Sequence, residues 1–277
     1  MTYCVGIEVD EGLVLAADTR TSASLDDVRI HRKLHSFEYP GDRAFVLMSA
    51  GNLATTQLAI ARLKRDADDP TSTRSLRTFS HLFEVAEYVG EVLVASQAKL
   101  SGEPQYSNVS VQASLILGGQ IQGERHGLYM IYSLGNCIAA SPETPYLQIG
   151  ESKYGKPILD RIIRPETRLE DAARCALVSL DSTVRSNLSV GLPIDMALIR
   201  RNDLRISQSM RLEADTPLYA EIHDSWSRKL ENAVRTLPRF PWEAPLEADE
   251  QAAASLPSMP PRRVPAQRDP GDQSAQQ

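Results

Sequence analysis

The sequence predicts an α+β fold with mixed strands, on three observations. Strand-like stretches open the chain. Two stretches of helical period then separate them from a second group of strands. Two more helical stretches, a further strand pair and a last helix follow, with no internal repeat. At 277 residues, 42% hydrophobic and 24% charged, the chain suits one large globular domain, or a domain with an appendage.

The elements follow in order. Tyr3, Val5, Ile7 and Val9 alternate with Cys4, Gly6 and Glu8, which reads as a half-buried strand. Asp10-Glu11-Gly12 is an acidic turn, and Leu13 to Ala17 form a second strand ending at Asp18, so the two make a hairpin. Thr19 to Ile30 is polar and reads as an exposed loop. His31 to Tyr39 alternates like a strand, Pro40-Gly41-Asp42 is a turn, and Arg43 to Ala50 is a nearly continuous apolar run suited to a strand covered on both faces. Gly51-Asn52 opens a helix over Leu53 to Arg65. A second helix over Thr78 to Gln97 repeats its apolar residues at three and four, and Gly102-Glu103-Pro104 breaks it. Strands are expected at Val109–Gly118, Gly127–Ser133, Cys137–Ala140 and Tyr146–Ile149, and helices at Tyr154–Ile163 and Leu169–Arg185. Glu170 and Asp171 complement the dipole of the latter. Ile194–Arg200 and Leu204–Met210 are strands. A final amphipathic helix over Leu218–Leu237 is expected to bury Leu218, Ile222, Trp226, Leu230 and Val234. The main domain is read as residues 1–240. Residues 241–277, rich in Pro, Ala, Gln and Asp from Glu243 on, read as a disordered tail.

Charge and composition exclude several function classes. A net charge of −6 with no basic block gives no footprint for nucleic acid. The longest apolar runs fall short of the roughly 20 residues that a membrane span needs. No secretory leader is expected, and Cys4, Cys137 and Cys175 read as reduced thiols of a cytoplasmic protein. Five scattered histidines and no paired cysteines make a metal site unexpected, and no cofactor is expected.

The chemistry starts at Thr2. Removal of Met1 would leave a free α-amine on Thr2, and an amine of that kind titrates at about 7.7–8.0. It can take the proton of its own hydroxyl, directly or through one water, which activates the nucleophile. Many proteins begin Met-Thr, so the downstream segments carry the case: Ala16-Ala17-Asp18-Thr19-Arg20, then Arg32-Lys33-Leu34-His35 after a polar excursion. Together with the Met-Thr-Tyr-x-Val-Gly start, these resemble the proteasome β-subunit family of N-terminal-nucleophile hydrolases, and most nearly its bacterial branch called Anbu, the ancestral β subunit. The resemblance covers roughly residues 1–240 and implies a four-layer αββα sandwich, two sheets each covered on its outer face by a helix pair.

The resemblance also implies roles. Thr2 is the nucleophile. Lys33 lowers the pKa of the hydroxyl, and Asp18 is its counter-ion, where a surface lysine and a plain turn residue are the simpler readings. Ser49-Ala50-Gly51-Asn52 lies where a strand yields to a helix, so the Gly51 N–H is the expected oxyanion donor, against a role as a mere helix-entry glycine. Ser133, in Tyr132-Ser133-Leu134-Gly135, is the candidate supporting serine. Arg20 braces the loop after the hairpin. The Arg-Asp-x-x-Ser-Gly segment of the family reads here Arg185-Ser186-Asn187-Leu188-Ser189-Val190-Gly191. Ser189 fits the serine, but Ser186 stands at the aspartate position, and Asp181 could replace it only with a shifted backbone. The implied activity is a threonine peptidase acting on peptides or proteins in a homo-oligomer, an open or helical ring. A small-amide or γ-glutamyl amidohydrolase with the same nucleophile, or an assembly protein of little turnover, are the alternatives. No docking motif for an ATPase partner is legible.

Overall fold

The computed structural model describes residues 2–22, 28–102 and 109–243. Residues 103 and 104 of the expected helix break, and the tail from residue 244 on, lie outside the described residues. The chain divides into two units, residues 1–231 and 232–277.

The first unit is a layered α+β sandwich. One sheet runs in the order β10-β1-β2-β11-β12, made by β1 (Tyr3–Val9), β2 (Gly12–Asp18), β10 (Tyr146–Gly150), β11 (Ile194–Arg200) and β12 (Gln208–Leu212). The other runs β5-β6-β7-β8-β9, from β5 (Leu34–Tyr39), β6 (Arg43–Gly51), β7 (Ala113–Ile121), β8 (Gly127–Ile131) and β9 (Cys137–Ala139). All their pairings are antiparallel. Helices α1 (Leu53–Asp68) and α2 (Leu82–Ser101) cover the outer face of the second sheet, and α3 (Lys156–Ile162) and α4 (Leu169–Ser186) that of the first.

Three apolar layers follow from the two-residue period of the strands. Tyr3, Val5 and Ile7 point at α3 and α4. Cys4, with Leu13, Leu15 and Ala17, points into the space between the sheets, where it meets Val46, Met48 and Ile116. Phe45, Leu47 and Leu115 face α1 and α2. The first strand is therefore buried on both faces rather than on one, because a second sheet takes the place of solvent. Gly6 makes the contact close: a Cβ there would stand 2.7 Å from Leu128 Cδ1.

Several expected bounds shift. Within Thr19–Ile30, β3 (Arg20–Ser22) and β4 (Val28–Ile30) pair with each other, and residues 23–27 lie outside the described residues. The second helix begins at Leu82, not Thr78, where the His81 and Glu84 backbone and side chains form a capping box. The last strand begins at Gln208 rather than Leu204, whose φ of 49° takes it out of extended backbone. Helix α5 (Pro217–Arg235) is amphipathic, but its expected burial is wrong: Leu218, Leu230 and Val234 are exposed. Its one buried residue is Tyr219, and Ile222 packs against the helix layer. Among the described residues no helix is long and apolar enough to cross a membrane. In the second unit the rings of Phe240 and Trp242 stack at 4.6 Å.

Candidate active site

Thr2 stands where β1 begins, and four hydrogen bonds, three of them through Tyr3, hold it there. The Tyr3 N–H donates to Asp18 Oδ1 at 3.0 Å. The Tyr3 hydroxyl is tied into the helix layer by Ser179 Oγ at 2.6 Å and Gln148 Nε2 at 2.6 Å. On the other side the Glu151 N–H donates to the Thr2 carbonyl at 2.7 Å. An ordered ladder on both flanks of β1 thus fixes the residue that carries the hydroxyl.

Asp18 ends β2 and is fully buried. Its Oδ1 accepts from Lys33 Nζ at 2.6 Å, and its Oδ2 from the Gly191 N–H at 3.2 Å. Burial pushes the Asp18 carboxyl up, and the Lys33 ammonium with the two N–H donors acts against that push. Lys33, 5% exposed, lies just before β5 and donates a second hydrogen bond to the Arg20 carbonyl at 2.6 Å. An ammonium has three donors. Two are committed here, and Lys33 lines the same cleft as Thr2, with Thr21, Ser49, Ala50, Gly51, Thr56 and Gly150. The cleft encloses about 290 Å³. A larger cavity, about 380 Å³, is lined by Glu8, Phe83, Glu124, Arg125 and His126. It gathers none of the candidate residues, since Glu8 lies about 20 Å from Thr2 along β1 at some 3.3 Å per residue.

Gly51 closes β6 with φ 106°. A Cβ there would stand 2.5 Å from the Gln112 carbonyl oxygen and 2.8 Å from Ala113 Cα, so only glycine fits this turn into α1. Asn52 caps α1 by accepting from the Thr55 N–H at 3.1 Å. The first turn of α1 holds no acidic residue, which leaves its positive end unneutralised beside the cleft.

Arg20 braces a different loop from the expected one: its Nη1 donates to the Leu188 carbonyl at 2.7 Å, between α4 and β11, while its own carbonyl holds Lys33. The loop from α4 to β11 is further pinned by the Thr19 hydroxyl, which donates to the Pro193 carbonyl at 2.7 Å beside a cis Leu192–Pro193 bond. Ser189 belongs to that loop, and its hydroxyl donates to Asn187 Oδ1 at 2.6 Å.

Thr2, Lys33 and Gly51 therefore line one cleft, Asp18 joins them through Lys33 Nζ and the Tyr3 N–H, and Ser189 lies two residues before Gly191, whose N–H donates to Asp18. Ser133 does not join them. It lies in the turn between β8 and β9, its carbonyl accepts from Gln97 Nε2 at 2.6 Å toward α2, and it is absent from the cleft lining. Asp181 is also elsewhere: Tyr219 Oη at 2.9 Å and His223 Nδ1 at 2.7 Å hold it at the start of α5. Ser186 is exposed at the end of α4. Sequence reasoning missed Glu151 and Asn187, whose amide donates to Glu151 Oε2 at 3.1 Å. No local pattern pointed to them: the pairing of β10 with β1 brings Glu151 to Thr2, where its N–H meets the Thr2 carbonyl.

Comparisons with known proteins agree on one family. The family model described as "Proteasome subunit" matches residues 2–199. Anbu (ancestral beta-subunit) from Yersinia bercovieri is 41% identical, with 86% of this chain and 99% of that one covered and a TM-score of 0.81. The helical assembly of the Anbu complex from Pseudomonas aeruginosa is 41% identical, covers 87% of this chain and 98% of that one, and has a TM-score of 0.82. Proteasome subunit beta 2 of Pyrobaculum calidifontis is 27% identical over 204 residues, 73% of this chain and 90% of that relative.

Proposed function

The chain belongs to the proteasome-subunit family, in its Anbu (ancestral beta-subunit) group, and from that premise we propose that it is a threonine-type peptidase whose nucleophile is the Thr2 hydroxyl. The observation that carries the reading is the buried Lys33–Asp18 pair at 2.6 Å, whose Lys33 lines the same cleft as Thr2.

Each residue takes one task. Once Met1 is gone, the Thr2 amine accepts the hydroxyl proton as the oxygen attacks the peptide carbonyl. The Lys33 ammonium, held in place by Asp18 and the Arg20 carbonyl, stabilises the forming alkoxide. The Gly51 N–H, at the unneutralised end of α1, takes the oxyanion. The amine then returns the proton to the leaving amine. An ester on Thr2 remains, and water cleaves it by the same steps in reverse order. Substrates are peptides or proteins, and the working form is a homo-oligomer, supported by the helical assembly of the Pseudomonas aeruginosa relative.

A panel of fluorogenic peptides, run beside small γ-glutamyl amides, tests this. Peptide turnover that vanishes in Thr2→Ala, with assembly size unchanged, is the expected result. Turnover of γ-glutamyl amides alone would move the substrate to that class, and undiminished peptide turnover in Thr2→Ala would reject the nucleophile.

A further inference from the structure

Glu151 is a buried carboxylate with no cation. It is 8% exposed, yet among the described residues no Lys, Arg or His forms an ion pair with it. Its two oxygens take neutral donors only: the Lys153 N–H at 2.9 Å on Oε1 and the Asn187 amide at 3.1 Å on Oε2. Buried charges are as a rule paired, so a buried carboxylate with neutral donors alone is an exception.

The backbone indicates where that partner arises. The ladder ends with Tyr3 opposite Gly150, and just beyond it the Glu151 N–H donates to the Thr2 carbonyl at 2.7 Å. That bond sets the two residues side by side at the end of the ladder. Gly150, at φ 84°, presses this segment so close to Thr2 that a Cβ on it would stand 2.0 Å from the Thr2 carbonyl oxygen. The carboxylate arm is held from behind as well. Asn187 Oδ1 accepts from the Ser189 N–H at 3.0 Å and the Ser189 hydroxyl at 2.6 Å, which turns its amide N–H toward Glu151.

We infer that Glu151 is the counter-ion of the Thr2 α-ammonium, a positioning residue set by the relay from Ser189 through Asn187. The inference rests on the proposed function only in requiring a free amine on Thr2. The other charged groups of the site are already matched. On β2, Asp18 spends both oxygens on Lys33 and on the Tyr3 and Gly191 N–H groups. Before β5, Lys33 is held by Asp18 and the Arg20 carbonyl. From β3, the Arg20 guanidinium is on Leu188, and beyond β10 Lys153 offers its backbone N–H. Two anions thus serve two cations, and each fixes one partner of the hydroxyl. A carboxylate beside the ammonium favours the charged form, so the amine becomes a stronger proton acceptor for the hydroxyl.

Competitive acetylation of the full-length assembled protein between about pH 6 and pH 10, read on the N-terminal peptide by mass spectrometry, gives the titration midpoint of the Thr2 amine without using any hydrolase activity. The wild-type midpoint is expected about one unit or more above the ordinary 7.7–8.0, the Glu151→Gln midpoint back at that value, and the Glu151→Asp midpoint raised again. A wild-type amine at the ordinary value overturns the inference without any variant, as does a Glu151→Gln midpoint equal to a raised wild-type one. Retained Met1 overturns it too, since no Thr2 amine then exists. Parallel treatment with a β-lactone separates the two ideas. A raised, Glu151-dependent midpoint with no adduct on Thr2 would keep the ion pair and reject the peptidase, and an adduct with an unshifted midpoint would reject Glu151 alone.

Discussion

Replacing Lys33 with methionine isolates the charge that the proposed chemistry needs. The lysine side chain is 6% exposed and its Asp18 partner 0%, so the variant leaves a fully buried carboxylate with only the Tyr3 and Gly191 N–H groups. Asp18 then has two routes. Staying ionised costs about 3–5 kcal/mol, the usual loss when one partner of a buried pair is removed. Taking a proton costs about 1.4 kcal/mol for each pH unit between the ordinary carboxylate value of about 3.9 and the solution, or about 4 kcal/mol at pH 7. The cheaper route sets the loss, so about 3–4 kcal/mol is expected at pH 7. At pH 5 the proton route costs only about 1.5 kcal/mol, and burial already pushes Asp18 toward it. The assay is urea unfolding by circular dichroism at pH 7 and pH 5, at one protein concentration because assembly adds to stability. Adding Asp18→Asn should recover most of the loss at pH 7. A loss under about 1 kcal/mol, or the same loss at both pH values, would refute a buried, charged Lys33–Asp18 pair.

Further outcomes follow from other sites. Gly51→Ala places a methyl 2.5 Å from the Gln112 carbonyl oxygen at φ 106° and should cost about 2 kcal/mol or more together with peptide turnover; a wild-type urea midpoint would show that this turn tolerates a side chain. Burial lowers His35 to about 4, so the unfolded chain binds its proton first as pH falls. Stability is therefore complete above about 6.5 and declines through that window toward 4, and His35→Gln should flatten the slope of the urea midpoint between pH 7 and pH 5. Cys175 is buried and pushed up to about 12, and burial raises Cys4 further, while Cys137 is half-buried. A thiol reagent at pH 8 should accordingly modify Cys137 alone in the folded protein and all three cysteines in urea; fast modification of Cys4 would contradict a closed space between the sheets.

Much of this fold was legible because its elements obey their periods. The hairpin of β1 and β2, the apolar β6 and the helices α1 and α4 stood within a few residues of their expected bounds. Where the reading failed, tertiary context outweighed local pattern. β3 and β4 are three residues each and pair with each other, too short for a two-residue period to announce them. Helix α5 carries an amphipathic pattern, but its sequence does not say that only Tyr219 becomes buried. In the site, Asp18 and Lys33 were reached by family resemblance, and their 2.6 Å contact follows from pairing β1 with β2 and folding β3 back over Lys33. Ser133 was chosen on local character, and the β8–β9 turn carries it toward α2 instead. Glu151 and Asn187 were invisible because they lie 149 and 185 positions from Thr2 and meet only through strand register and a loop after α4.

The most direct test of a Thr2 nucleophile is intact-mass and peptide mapping after treatment with a β-lactone or a peptide vinyl sulfone. The account predicts a chain without Met1 carrying a single adduct on Thr2, lost in Thr2→Ala. Retained Met1, or an adduct that persists in Thr2→Ala, would contradict it.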